Sequence, residues 1–382
     1  MLIASAFHEI MTQRVTTYDI AREAGVSRTT VSHILNNHPG ITISPKTRER
    51  VLATARRLGY VPNSAAQMLV TGRSQTIGLI LSRPDLVAID AFVPTAIFGL
   101  NEACRAHGYR LLMEAIRDPE SEDSYLNLAK SKRIDGLIVI NPRRGDRGLR
   151  KAIESKFPVL IFGSSGHPHE NAIGTEDAQA SCLAAEHLLS LGHRRIAHIS
   201  YAPLVYLPAN RRFEGYRKAL KAANVPFSKK LFAEGNFTCE SGYLAMRQIL
   251  ASGAEPTAVL AGNDTLALGA MAAIREAGFA IPQEFAVVGY DDIPSAAFAC
   301  PPLTTIRTHA LEQGKIVGEA AIALVKGMET GQRSAIVPLE LIVRESCGAK
   351  MKPVTESGSG KSNSLGRPRA KVRRGARRNS ID

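Results

Sequence analysis

The segment GVSRTTVSHILNN, residues 25–37, carries five hydrogen-bonding side chains that a core cannot use: Arg28, Thr29, Ser32, His33 and Asn36. At helical spacing Val26, Val31, Ile34 and Leu35 gather on one side and leave these five on the other. Arg28 and Thr29 stand in the first turn, with His33 one turn later on the same side. From there a helix lying in a major groove presents side chains to base edges. A guanidinium pairs bidentately with guanine, worth about 1–3 kcal/mol of discrimination, and threonine meets a thymine methyl or accepts a hydrogen bond. Thr16, Ser27, Ser32 and Asn36 suit phosphate oxygens, which fix position rather than sequence. The bland alternative is a solvated helix face.

Neighbouring elements must hold such a helix in place. Thr16 can cap a first helix, TYDIAREA, with Asp19 as a capping-box partner one methylene shorter than the usual Glu. Ile20, Ala21 and Ala24 form its inner face, and Gly25 permits a tight turn to Ser27, the cap of the second helix. A third helix follows, capped by Ser44, opened by Pro45 and stopped at Gly59, with Val51, Leu52, Ala55 and Leu58 expected inward. Small residues at the first crossing meet the steric demand of a helix-turn-helix. Residues 14–73 carry a balance of +6 and residues 350–382 one of +8, while the remainder is close to neutral. Two basic ends on a neutral body imply a polyanionic partner.

The rest of the 382 residues reads as α/β. Strand-like runs at 77–81, 110–115, 136–140, 158–163, 195–200, 257–263 and 284–292 alternate with amphipathic stretches, as in parallel sheets covered on both faces. About 270 residues is large for one doubly wound core, so two lobes are expected. The expected boundaries are a leader (1–13), the headpiece (14–61), a linker (62–75), the core (76–348) and a disordered basic tail (349–382). Lobe 1 is expected to take about 76–174 and 307–330, and lobe 2 about 175–304 and 333–347. In such folds ligands bind beyond the carboxyl ends of strands, where Ser82, Gly163, Asn263 and Asp291 stand.

Five scattered cysteines suit reduced thiols, and no zinc-type spacing occurs. The N-terminus lacks the features of a signal peptide, and no run of about 18 apolar residues exists. A cytoplasmic protein that does not use a membrane is therefore expected. SGSGKS at 357–362 lacks the first glycine and the strand of a phosphate loop, and HPH at 167–169 is too short for a metal site. No nucleophile, base or cofactor constellation marks an enzyme, and no cofactor or metal is expected.

VTTYDIAREAGVSRTTVSHILNN, the stretch SPKTRERVLATARRLGYVPNSAAQMLVTGRSQTIGLIL, and later RIDGLIVI, GHRRIAHIS, NRRFEGYRKAL, AVLAGNDTLALGAM, VVGYDD and PPLTTIR resemble the LacI/GalR transcription regulators from about residue 14 to 348. The resemblance implies a helix-turn-helix headpiece joined to a two-lobed core like the periplasmic sugar-binding proteins. It matches Arg28, Thr29 and His33 to base-reading positions. It matches Ala65, Ala66 and Leu69 to a hinge helix whose leucine wedges into the minor groove; such a wedge unstacks one base step and gains contact through the bend. For the cleft it implies Arg212, Asn263 and Asp291 from one lobe, Phe237 as an apolar wall, and Ser82, Asp90 and Phe92 from the other lobe. Gly163 departs from the acidic residue of many sugar-binding relatives, and the loop at 36–44 is two residues longer than the commonest form. The expected ligand is polyhydroxylated or anionic. The tail segment LGRPRAKVRRGARR looks like an AT-hook core, against the plainer reading of a non-specific basic tail. Without a leucine-heptad helix in the tail, a homodimer is expected.

The implied protein is a ligand-responsive repressor that binds double-stranded DNA at a near-palindromic operator. The rival is a cytoplasmic solute-binding receptor that does not read sequence.

Overall fold

The computed structural model describes residues 15–36, 41–61, 68–69, 71–81, 83–115, 122–328 and 334–350. Ser82, Ala65 and Ala66, named above, lie outside them, as do the tail from 351 on and half of the linker.

The described residues begin with three helices: α1 (Thr17–Ala24), α2 (Arg28–Leu35) and α3 (Pro45–Arg57). The Asp19 amide donates to the Thr16 hydroxyl at 3.4 Å, and the Thr16 amide donates to the Asp19 carboxylate at 3.0 Å. The shorter acid thus completes the capping box. Gly25, at φ 61°, turns the chain by the left-handed conformation that only glycine adopts freely. Ile20, Ala21, Ala24, Val31, Ile34, Val51 and Ala55 close a small core. Leu52, expected inside, is 36 % exposed. The inward stripe of α3 runs Val51, Thr54, Ala55 and Leu58, and Leu52 lies one residue off it, so Thr54 takes the buried place.

Lobe 1 is built from β1 (Thr76–Leu81), α4 (Leu86–Ile89), α5 (Phe92–Ala106), β2 (Arg110–Glu114), α6 (Ser124–Lys130), β3 (Gly136–Ile140), α7 (Arg147–Glu154), β4 (Val159–Phe162) and β5 (Asn171–Thr175). Lobe 2 holds α8 (Asp177–Ser190), β6 (Ile196–Ser200), α9 (Leu207–Ala222), β7 (Phe232–Glu234), α10 (Cys239–Ala251), β8 (Ala258–Ala261), α11 (Asp264–Glu276), β9 (Ala286–Asp291) and β10 (Thr304–Arg307). The chain then returns as α12 (Ala310–Val325) to pack on α5, adds β11 (Ser334–Val337) to the first sheet, and ends with β12 (Glu340–Ile342) in the second. The sheet orders are β11-β5-β4-β3-β1-β2 and β12-β10-β9-β8-β6-β7. Every pairing is parallel except β10 with β12.

The seven expected strands are present. The third crossing between lobes lies between Val337 and Glu340, later than the expected 330–333, because β11 pairs with β5. α5 and α12 meet at glycines: a Cβ on Gly314 would stand 1.9 Å from the Ala96 carbonyl oxygen. That contact brings the two helix backbones together and ties the returning chain to lobe 1.

Candidate nucleic-acid interface and effector cleft

On the headpiece, Arg28 and Thr29 are exposed at the start of α2, with His33 half-buried one turn on. The Thr30 amide donates to the Ser27 hydroxyl at 3.1 Å, so Ser27 caps the helix, and Thr16 is likewise spent on its own cap. Asn36 Nδ2 donates to Ser32 Oγ at 3.2 Å. These four side chains therefore have local partners that hold the helix ends. Arg57 reaches Glu23 at 2.8 Å and ties α3 to α1. Leu69 is 85 % exposed.

Between the lobes the structure brings Arg212, Asp291, Asn263, Phe237, Asp90 and Phe92 around one cavity. The backbone is bent where strands end: Asn141 after β3 has φ 45°, Gly163 after β4 has φ 106°, Phe237 has φ 67° and Asp291 at the end of β9 has φ 112°. Left-handed conformations at side-chain-bearing residues cost about 1–3 kcal/mol each and concentrate where a side chain must be aimed.

Arg212 on α9 is engaged through its Nε and Nη1. Its Nε donates to Asp177 Oδ1 at 2.8 Å and its Nη1 to the Gly262 carbonyl at 2.6 Å. The Tyr290 ring lies 3.5 Å and the Tyr201 ring 4.6 Å from its Cζ. Burial opposes its charge, but Tyr290, Asp177 and Asp291 hold the guanidinium protonated beyond its ordinary range. Asp291 stands 3.9 Å from Nη1, too far for a hydrogen bond. Burial raises Asp291 well above the usual carboxylate range; Arg212 opposes this and the Asp90, Asp264 and Asp177 charges add to it. Burial also raises Asp90.

Asn263 has two roles. Its Oδ1 accepts from the Leu266 amide at 2.8 Å, capping α11, while its Nδ2 reaches Asp90 across the cleft at 3.4 Å. The Asp90 carboxylate also accepts from the Phe92 amide at 2.8 Å. Phe237 is 1 % exposed and packs edge-on against Tyr201 and Tyr206. Two further bridges join the lobes: Arg83 Nη1 donates to Asn236 Oδ1 at 2.8 Å, and the Arg144 amide to the Val205 carbonyl at 3.1 Å. The cleft is narrow, with a cavity of about 50 Å³.

Sequence reasoning did not find Asn141, Asp177, Tyr201, Arg211 and Gln313, which also line this cavity. Asn141 and Tyr201 directly follow β3 and β6, so the strand-end rule could have flagged both. Asp177 reads locally as an ordinary first residue of a helix, and only the fold sets it on Arg212. Among the described residues there is no cluster of metal-binding side chains and no helix long and apolar enough to cross a membrane.

A profile of the bacterial regulatory proteins of the lacI family matches residues 16–63, and one of the periplasmic binding protein-like domain matches residues 185–347. The HTH-type transcriptional repressor PurR of Mannheimia succiniciproducens is 32 % identical over 332 residues, covering 86 % of this chain and 97 % of PurR. The HTH-type transcriptional regulator CelR of Thermobifida fusca is 31 % identical over 338 residues, covering 87 % and 98 %. Among solved structures, the lac repressor dimer bound to operator and the anti-inducer ONPF superposes with a TM-score of 0.76 at 31 % identity, over 87 % of this chain and 99 % of that one. The complex of CelR with cellobiose gives 0.67 at 29 % identity, over 87 % and 100 %.

Proposed function

The chain belongs to the lacI family of bacterial regulatory proteins, and from that premise we propose a division of labour between its two halves. It is a ligand-responsive, DNA-binding transcriptional regulator of the repressor type, acting as a dimer. In our reading Arg28, Thr29 and His33 meet base edges, while Thr16, Ser27, Ser32 and Asn36 meet phosphates. The linker with Ala65, Ala66 and Leu69 enters the minor groove. A two-fold dimer presents two such headpieces to a near-palindromic operator. The observation that carries this assignment is the exposed Arg28–Thr29 pair at the capped start of a helix held by two others.

Arg212, Asp291, Asn263, Phe237, Asp90 and Phe92, with Ser82, which follows β1 in the sequence, form the effector site in this reading. Small-molecule sites span roughly 300–1,000 Å³, so a cavity of about 50 Å³ must widen before a ligand enters. Widening parts the Asn263–Asp90 and Arg83–Asn236 bridges and rotates one lobe on the other. That rotation alters the separation of the two headpieces and shifts the population that fits the operator. We read the cleft as a sensor rather than a catalytic centre, as its relatives are named as regulators, and we place its work in the cytoplasm.

The test is binding to genomic fragments at several salt concentrations, with wild type and Arg28→Ala. Loss of about 1–3 kcal/mol on the preferred fragment, with little change elsewhere, is expected. An equal loss on all fragments would make Arg28 a phosphate contact. Conversion of a bound ligand to product would overturn the sensor reading.

A further inference from the structure

The two arginines that begin the second turn of α9 differ in their engagement. Arg212 has Asp177, the Gly262 carbonyl and two tyrosine faces. Arg211 lines the same cavity half-buried, and among the described residues no hydrogen bond, ion pair or ring engages its guanidinium. A guanidinium without a partner at the wall of a cleft is open to a ligand that supplies the counter-charge. The Asp90 and Asp291 carboxylates, one from each lobe, line the same cavity.

Resting on the assignment of this cleft as the effector site, we propose that the effector is a polyhydroxy monocarboxylate, a sugar acid, whose carboxylate pairs with Arg211 while its hydroxyls donate to Asp90 and Asp291. A planar guanidinium takes a carboxylate through two parallel hydrogen bonds. A phosphate dianion fits less well, because it would bring a second negative charge toward the two carboxylates that line the cavity. A neutral sugar satisfies the two acids and leaves Arg211 without a partner. Arg211 is then the residue that separates an acid from its parent sugar. The side chain is neither at a strand end nor in a cap, which is why the strand-end rule passes over it.

Calorimetric titration of the full chain tests this with glucuronate, galacturonate and gluconate, their neutral hexoses, and hexose 6-phosphates. Each is run against wild type, Arg211→Ala and Arg211→Lys. At least one acid should bind wild type tenfold or more tightly than its neutral parent. Arg211→Ala should weaken the acid by about 10–100-fold and erase its advantage, with Arg211→Lys in between. Unliganded thermal unfolding of each variant separates a folding defect from a lost contact. Preference for a neutral sugar or a phosphate, or an acid advantage that survives Arg211→Ala, overturns the proposal while leaving the cleft as the effector site. A panel with no binder overturns this proposal and leaves the effector-site reading to be judged on other ligand classes.

Discussion

His198 sits in β6 with no exposed surface, its ring stacked 4.9 Å from that of Tyr216 and beside Phe213 and Phe232. Nδ1 bonds the Leu260 carbonyl at 2.9 Å and Nε2 has no partner. Burial lowers its pKa to about 4, with the Arg212 charge adding to the shift. The unfolded chain, with an ordinary histidine near 6.5, binds the proton more readily between those values. The stabilising contribution is therefore whole above about pH 6.5 and lost as pH falls toward 4. Urea unfolding of wild type should lose about 2 kcal/mol from this group between pH 7 and pH 5, and His198→Phe should flatten that part of the slope. Asp264 acts in the opposite sense. Burial raises it to about 7, so its contribution is present below the ordinary carboxylate value near 4 and lost as pH rises toward 7. Asp264→Asn should gain stability at pH 8 relative to pH 5, read from the same midpoints. Neither behaviour was legible in the sequence: HIS in RIAHIS and ND in AGNDT look like any strand and any cap, and only the packed fold removes their water.

At the scale of elements, close helix contact makes a sharper demand than propensity does. Gly314→Ala would place a methyl 1.9 Å from the Ala96 carbonyl oxygen, so α5 and α12 must part. A loss of about 1–3 kcal/mol is expected in thermal or denaturant unfolding; an unchanged midpoint would mean that the two helices do not touch. Central strands such as GLIVI and RIAHIS were readable because burial on both faces writes a continuous apolar run. Asn171–Thr175, Phe232–Glu234, Thr304–Arg307, Ser334–Val337 and Glu340–Ile342 were missed for physical reasons. They are short, and NAIGT and TTIR carry polar residues that tertiary hydrogen bonds satisfy, as when Thr305 donates to Asp264 at 2.6 Å. The headpiece was legible almost to the residue, since caps and turn glycines act locally. Six of the cleft residues were legible through resemblance, whereas Asp177 and Arg211 depend on which face of α9 and α8 meets which lobe.

For the whole molecule, linkage gives a prediction independent of ligand identity. If an effector changes operator affinity by a given factor, operator must change effector affinity by the same factor, measurable by titrating each in the presence of the other. Reciprocity holds for any number of lobe arrangements, so the decisive quantity is the size of the common factor: a factor of one would mean that the cleft does not act on operator binding. The chain passes between lobes at residues 175–177, 307–310 and 337–340. Three side-by-side straps behave like the knuckles of a door: swing about their common line is soft, while sliding and twisting are stiff. Chemically unlike molecules in the cleft can therefore be distinguished downstream only by how far they turn that door. A single backbone nick in one strap leaves the lobes joined by the other two, and with them the swing.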